Sequence, residues 1–233
     1  MTERGKVAVV AGANAGLGSA LCELLAIRGF RVAALGRDAA VRAVATDVAG
    51  VMAVACDLTI ASEVDHAFAA VEGAIGPASV VVYNAHRLGL HPFAETSLEL
   101  FEESWRVNCH GAFVVARRAV PAMLARHGGA LVFTGATGSI RGGRRSAAFA
   151  SSKFALRGLA QSLARELWPA GIHVAHVVLD GLVWSERTRA RFGPEQETCM
   201  SPRAVAAAYI ALIEQDRSAW THELDLRPWV ERF

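Results

Sequence analysis

The chain is poor in the groups that staple or stiffen small proteins. Its 233 residues include four cysteines, seven prolines and two tyrosines. Cys22, Cys56, Cys109 and Cys199 are scattered without a C-x-x-C pair. That argues against a zinc site or a disulfide framework and suits a reducing cytosol. An excess of one charge is also missing: 24 Lys plus Arg face 22 Asp plus Glu, a formal +2. Such a balance leaves no basic footprint for nucleic acid and no lysine block for a membrane surface. No apolar run reaches the ~18 residues that a spanning helix needs. The opening MTERGK runs straight into an apolar strand, with no signal-peptide layout. The expectation is one cytoplasmic domain over 1–233, without metal, nucleic-acid partner or membrane. What the chain does have is 53% hydrophobic residues and 21 glycines, ample to bury a core.

Short β-branched apolar runs alternate with longer stretches of helical period. Strands are expected over 7–11, 31–35, 51–55, 80–83, 130–134, 173–179 and 223–226. Helices are expected through Leu21, Leu24, Leu25 and Arg28, then over 62–72, about 98–125, 149–167 and 202–214. The strand runs are continuously apolar, as in strands buried on both faces. This order predicts an α/β protein, a doubly wound parallel sheet of about seven strands with helices on both faces. Residues 181–201 lack periodicity and are the candidate substrate lid.

The first strand ends in Ala11-Gly12-Ala13-Asn14-Ala15-Gly16-Leu17-Gly18, and a helix follows at once. Glycines in that setting let backbone approach a pyrophosphate at a helix N-terminus, so the turn predicts dinucleotide binding. At this point the chain resembles the short-chain dehydrogenase/reductase family, whose G-x-x-x-G-x-G is matched by Gly12, Gly16 and Gly18. The resemblance runs along nearly the whole chain and implies a Rossmann fold. Asp57-Leu58 stands for the family's adenine-contacting Asp. Tyr83-Asn84-Ala85-His86 stands for N-N-A-G, with Tyr83 and His86 as departures. Asn108 matches the helical Asn and Lys153 the Lys of Y-x-x-x-K. Asp180-Gly181-Leu182-Val183-Trp184-Ser185 occupies P-G-x-[IV]-x-T, with Asp for Pro and Ser for Thr. Cofactor contacts implied by the resemblance are Gly12, Asn14, Gly16, Leu17, Gly18, Asp57, Leu58, Asn84, Ala85, Lys153, Gly181 and Val183.

An acidic residue ending the second strand selects NAD, and a basic one accommodates the 2′-phosphate of NADP. Here that strand ends Leu35-Gly36-Arg37-Asp38. Arg37 offers paired donors to phosphate oxygens, so NADP(H) is expected over NAD(H), with Asp38 as the contrary signal.

In this family, by resemblance, a Tyr hydroxyl exchanges the proton, a Ser polarises the carbonyl, Lys holds the ribose and lowers the Tyr pKa, and Asn anchors a water relay. Asn108 and Lys153 are present. The Tyr position is Phe149, and the Ser position thirteen residues earlier is Ala136. Neither side chain can exchange a proton. Three readings follow. One is an oxidoreductase acting on a carbonyl or alcohol with a substitute donor among Thr137, Ser139, His86 and His91. Another is a noncatalytic NADP(H)-binding protein with a binding or regulatory role. Deliberate substitution is the third, and the further departures at Asp180 and His86 favour natural divergence over it. Arg141, Arg144 and Arg145 before the 149–167 helix, with Arg187, Arg189 and Arg191 in the lid, suit either an acidic substrate or a solvated loop. The resemblance also implies a homodimer or homotetramer.

Overall fold

A computed structural model describes residues 5–231. Seven strands form one parallel sheet: β1 (Val7–Ala11), β2 (Arg31–Gly36), β3 (Met52–Ala55), β4 (Ala78–Tyr83), β5 (Gly129–Thr134), β6 (Ile172–Leu179) and β7 (Glu223–Leu226). Their spatial order is β3-β2-β1-β4-β5-β6-β7, and every pairing is parallel. Eight α-helices accompany them: α1 (Leu17–Ile27), α2 (Asp38–Asp47), α3 (Ala61–Ile75), α4 (Leu98–Trp105), α5 (Gly111–Ala125), α6 (Ala147–Leu167), α7 (Glu186–Phe192) and α8 (Pro202–Ile213).

The continuous apolar strand runs are explained by cores on both faces. In β1, Val7, Val9 and Ala11 pack with Phe68 of α3, Val115 of α5 and Leu156 of α6. Ala8 and Val10, pointing the other way, pack with Leu21 of α1, Val44 of α2 and Tyr209 of α8. Side chains alternate across a strand, so a wholly apolar strand needs apolar cover on each side.

The expected elements are present with their ends moved by one to a few residues. Three differences are larger. Helix α2 has no counterpart among the helices expected from periodicity. The single helix expected over 98–125 is interrupted by a π-helical turn, Arg106–His110, between α4 and α5. The aperiodic segment 181–201 contains α7, whose seven residues are too few to display a helical period. Among the described residues no helix is long and apolar enough to cross a membrane.

The chain reverses its order of strand addition between β1 and β4. In open α/β sheets the crevice beyond the strands' C-terminal ends at that switch is where ligands bind.

Candidate active site

The glycine turn lies at the switch. Gly12 has φ +86°, and a Cβ there would sit 2.3 Å from the Ala85 nitrogen. The β1 turn and the β4 end are therefore in backbone contact, and only glycine permits it. A Cβ on Gly18 would meet the Ala13 Cα at 2.9 Å, which sets the close approach of α1 to the turn. Gly16, at φ +95°, caps α1 without any side-chain acceptor, so no side chain occupies the N–H groups of the first turn. An uncapped helix N-terminus behind a backbone cradle fits a pyrophosphate. The Asn14 carbonyl accepts from Ser19 N at 2.8 Å, and Leu17 is buried in the core.

Around this cradle the expected contacts divide. Arg37 is exposed at the N-terminus of α2 and free to meet a phosphate; the Asp38 side chain lies outside the described residues. Asp57 Oδ1 accepts from Thr59 N and Thr59 Oγ1 at 2.8 and 2.7 Å, which orders the turn after β3. Leu58 is buried in the core. Asn84 donates to the Gly12 carbonyl at 3.2 Å and accepts from Thr134 Oγ1 at 3.3 Å. Tyr209 O–H donates to that same Thr134 oxygen at 2.9 Å. One chain of polar groups thus ties the glycine turn, β4, β5 and α8 together.

Both tyrosines are committed to structure. The Tyr83 hydroxyl donates to the Val107 carbonyl in the π-helical turn at 2.6 Å. Burial pushes both phenols well above their usual range. Neither supplies a proton to the cleft.

Asn108 sits in that π-helical turn, a geometry that frequently marks functional sites. Its Oδ1 accepts from Arg87 N at 2.9 Å, and its Nδ2 donates to Arg87 O at 3.0 Å and Ser152 Oγ at 2.9 Å. The side chain clamps the β4 loop to α6. His86, on that loop, is exposed to solvent, with Nδ1 3.5 Å from the Asn84 carbonyl. The backbone of His91 bonds the Arg145 carbonyl at 2.8 Å, and its side chain is exposed.

Phe149 and Lys153 of α6 both approach the segment around the end of β5 that carries Ala136. Lys153 is buried, donates from Nζ to the Thr134 carbonyl at 2.7 Å, and is brought down to about 7 by burial. The Phe149 ring lies against Gly138, where a Cβ would come within 3.0 Å of it. Ser139 is fully buried and its Oγ accepts the Ala136 N–H at 3.1 Å, so it braces the turn from within. Thr137 and Ala136 are partly exposed. Thr137 Oγ1 donates to Asp180 Oδ1 at 2.6 Å.

Asp180 is 1% exposed and is also met by Arg141 at 3.2 Å and Arg227 at 3.4 Å. Next to it, Gly181 has φ +143° and lies against Pro228, so the C-terminal segment covers this corner of the site. Arg227 and Pro228 have no local signal in the sequence; the β6–β7 pairing brings them here.

A second cluster escapes sequence reasoning entirely. His176 of β6 is fully buried, with Nδ1 3.0 Å from Glu223 Oε2 of β7, and Arg157 of α6 holds both Glu223 oxygens at 2.7 and 2.6 Å. His176 Nε2 has no hydrogen-bond partner among the described residues. The ring lies against Gly135, where a Cβ would be 2.3 Å from it.

Segment 181–201 is held by local contacts and by two contacts with the rest of the fold. Val183 bridges to Met200, and the Ser185 Cβ lies 3.2 Å from where Gly16 would carry one. From α7, Arg191 donates to the Leu88 carbonyl at 3.1 Å. Ser185 caps α7 through Thr188 N at 3.1 Å.

The family model described as short chain dehydrogenase matches residues 6–192. The 3-oxoacyl-[acyl-carrier-protein] reductase MabA of Mycobacterium tuberculosis strain H37Rv is 36% identical over 182 residues, 78% of this chain and 71% of that one. A short chain oxidoreductase of Pseudomonas aeruginosa PAO1, described as containing an atypical catalytic center, superposes with TM-score 0.88 at 26% identity, covering 98% of each chain. A metagenomic short-chain oxidoreductase in complex with NADP superposes with TM-score 0.83 at 25% identity, covering 99% of this chain and 100% of that one.

Proposed function

Because the chain belongs to the short-chain dehydrogenase family, we propose that it is an NADP(H)-dependent oxidoreductase acting on a carbonyl or alcohol group without the family's Tyr and Ser. The observation that carries this reading is the cradle at the sheet switch: Gly12 in contact with Ala85, an uncapped α1 N-terminus, and Lys153 buried beside it. When bound, the nicotinamide supplies or accepts the hydride. The protein's part is to hold the two reactants together and to manage the proton, and holding them is a contribution of its own.

Preference for NADP(H) rests on Arg37 and is supported by the NADP complex of the metagenomic oxidoreductase. Gly12, Asn14, Gly16, Leu17 and Gly18 would cradle the pyrophosphate, Asp57 and Leu58 would border the adenine, and Asn84, Ala85, Lys153, Gly181 and Val183 would border the nicotinamide side. For the substrate, Arg187 and Arg191 of the lid stand with Lys153 near His86, a cationic setting that suits an anionic carbonyl compound. The 36% identical relative is named as a 3-oxoacyl reductase, so acetoacetyl-coenzyme A is the apt probe.

The experiment is a titration of NADPH and NADH with native protein and Arg37→Ala, read by cofactor fluorescence. The reading expects NADPH to bind the native protein at least tenfold tighter, and the preference to vanish in the variant. Equal affinities in the native protein overturn the NADP(H) assignment. Phe149 and Ala136 favour a second reading, a cofactor-binding protein without turnover; NADPH binding with no reduction of any carbonyl compound is its signature.

A further inference from the structure

With Tyr and Ser absent, some other group must move the proton if the oxidoreductase reading holds, and the neighbourhood of Ala136 narrows the choice. Ser139 is sealed beneath its turn and spends its oxygen on the Ala136 N–H. Tyr83 and Tyr209 hydroxyls are bonded within the core. His91 is exposed on the outer loop, joined to the site only through its backbone. Thr137 is different: it directly follows Ala136, is partly exposed, and has a carboxylate behind it.

The Thr137–Asp180 contact is 2.6 Å, within the 2.5–2.7 Å range of an O–H···O⁻ bond. Donating to Asp180 leaves the lone pairs of Thr137 Oγ1 for a substrate hydroxyl. Asp180 itself demands an explanation, because a carboxylate that is 1% exposed is costly unless it is paired. Here the pairing is elaborate: Arg141 from the loop after the turn and Arg227 from the C-terminal segment both meet it. Two guanidinium groups from separate segments fix the carboxylate in one place, and its Oδ1 accepts from Arg141 and, at the shorter distance, from the partly exposed Thr137 beside the vacant Ser position.

We propose that Thr137 is the catalytic proton-transfer residue of this protein and that Asp180, locked by Arg141 and Arg227, is the positioning residue that receives or returns the proton through it. In alcohol oxidation the substrate O–H proton passes to Thr137 Oγ1 while the Thr137 proton passes to Asp180 Oδ1. The substrate C–H bond breaks, its electron pair leaves as hydride to oxidised NADP, the alcohol becomes a carbonyl, and NADP is reduced. Carbonyl reduction runs every transfer backwards from an Asp180 that has first taken one proton from solvent, so that one hydride and one proton add across the C=O bond and Asp180 ends as the carboxylate. The assignment rests on the oxidoreductase reading above.

The test measures acetoacetyl-coenzyme A reduction by NADPH for native protein, Thr137→Val, Thr137→Ser and Asp180→Asn, with NADPH affinity read separately by fluorescence. Thr137→Val is expected to lower kcat by about 10²–10⁴-fold, with KM and NADPH affinity held within a few-fold. Thr137→Ser keeps the hydroxyl and is expected to stay within tenfold of native. Asp180→Asn is expected to lower kcat comparably, and adding Thr137→Val to it to lower kcat little further, since the two act as one unit. If Asp180→Asn fails to fold, the Thr137→Val and Thr137→Ser pair decides alone. Native-like turnover in Thr137→Val, or equal loss in Thr137→Ser, overturns the assignment and leaves the oxidoreductase reading standing. A native protein that binds NADPH but reduces nothing overturns both.

Discussion

Tyr83 illustrates why single residues must be read with their partners. In sequence it is the first departure in the Asn84-Ala85 motif and one of only two phenols. In the fold its hydroxyl donates to the Val107 carbonyl at 2.6 Å, joining β4 to the π-helical turn that carries Asn108. Removing one partner of a buried hydrogen bond typically costs ~1–3 kcal/mol. Tyr83→Phe is therefore expected to lose about that much stability in urea denaturation while keeping NADPH affinity within a few-fold. An unchanged stability with abolished turnover would instead make Tyr83 a chemical participant. The glycine turn, Asn84, Asn108, Lys153, Phe149 and Ala136 were legible because their spacing is local or ordered along the chain. The partners of Asp180 were not: Arg227 lies 47 residues on, and only strand pairing delivers it.

Elements show the same division between local and distant signals. Helix α7 carries its own caps, Ser185 before it and Gly193 in the left-handed region at φ 60° after it, and both were available to a sequence reading. Strand β6 hides more, because His176 sits within an apolar run and its partners come from α6 and β7. Burial, with Lys153 and Arg157 adding to it and Glu223 opposing, brings His176 down to about 4. Between about 4 and the ordinary 6.5 the unfolded chain binds a proton that the folded chain refuses. Stability contributed by this ring therefore rises with pH across that window and is lost as pH falls through it. His176→Asn is expected to flatten the pH dependence of Tm between pH 4.5 and 6.5 relative to native. Parallel slopes for the two proteins would show that the ring does not couple folding to protonation.

At the scale of the molecule, the parallel sheet of about seven strands was readable from alternation, whereas the strand order, with its switch between β1 and β4, comes from the fold. The surface adds what the pattern of strands could not. Trp105 of α4, Phe113 of α5 and Phe154 of α6 are each more than 40% exposed. A homodimer or homotetramer of the kind expected from the family would cover such side chains. Light scattering after size exclusion is expected to give a multiple of 24.7 kDa, and Phe113→Glu to shift it toward the monomer; a monomeric native protein contradicts this.

Turnover without Tyr or Ser is the central expectation for this cleft. The most direct measurement is NADPH consumption with acetoacetyl-coenzyme A by native protein beside Ala136→Ser/Phe149→Tyr. Turnover by the native protein is the predicted result. Turnover by the restored variant alone would contradict it, showing a competent cleft from which the proton chemistry has been lost.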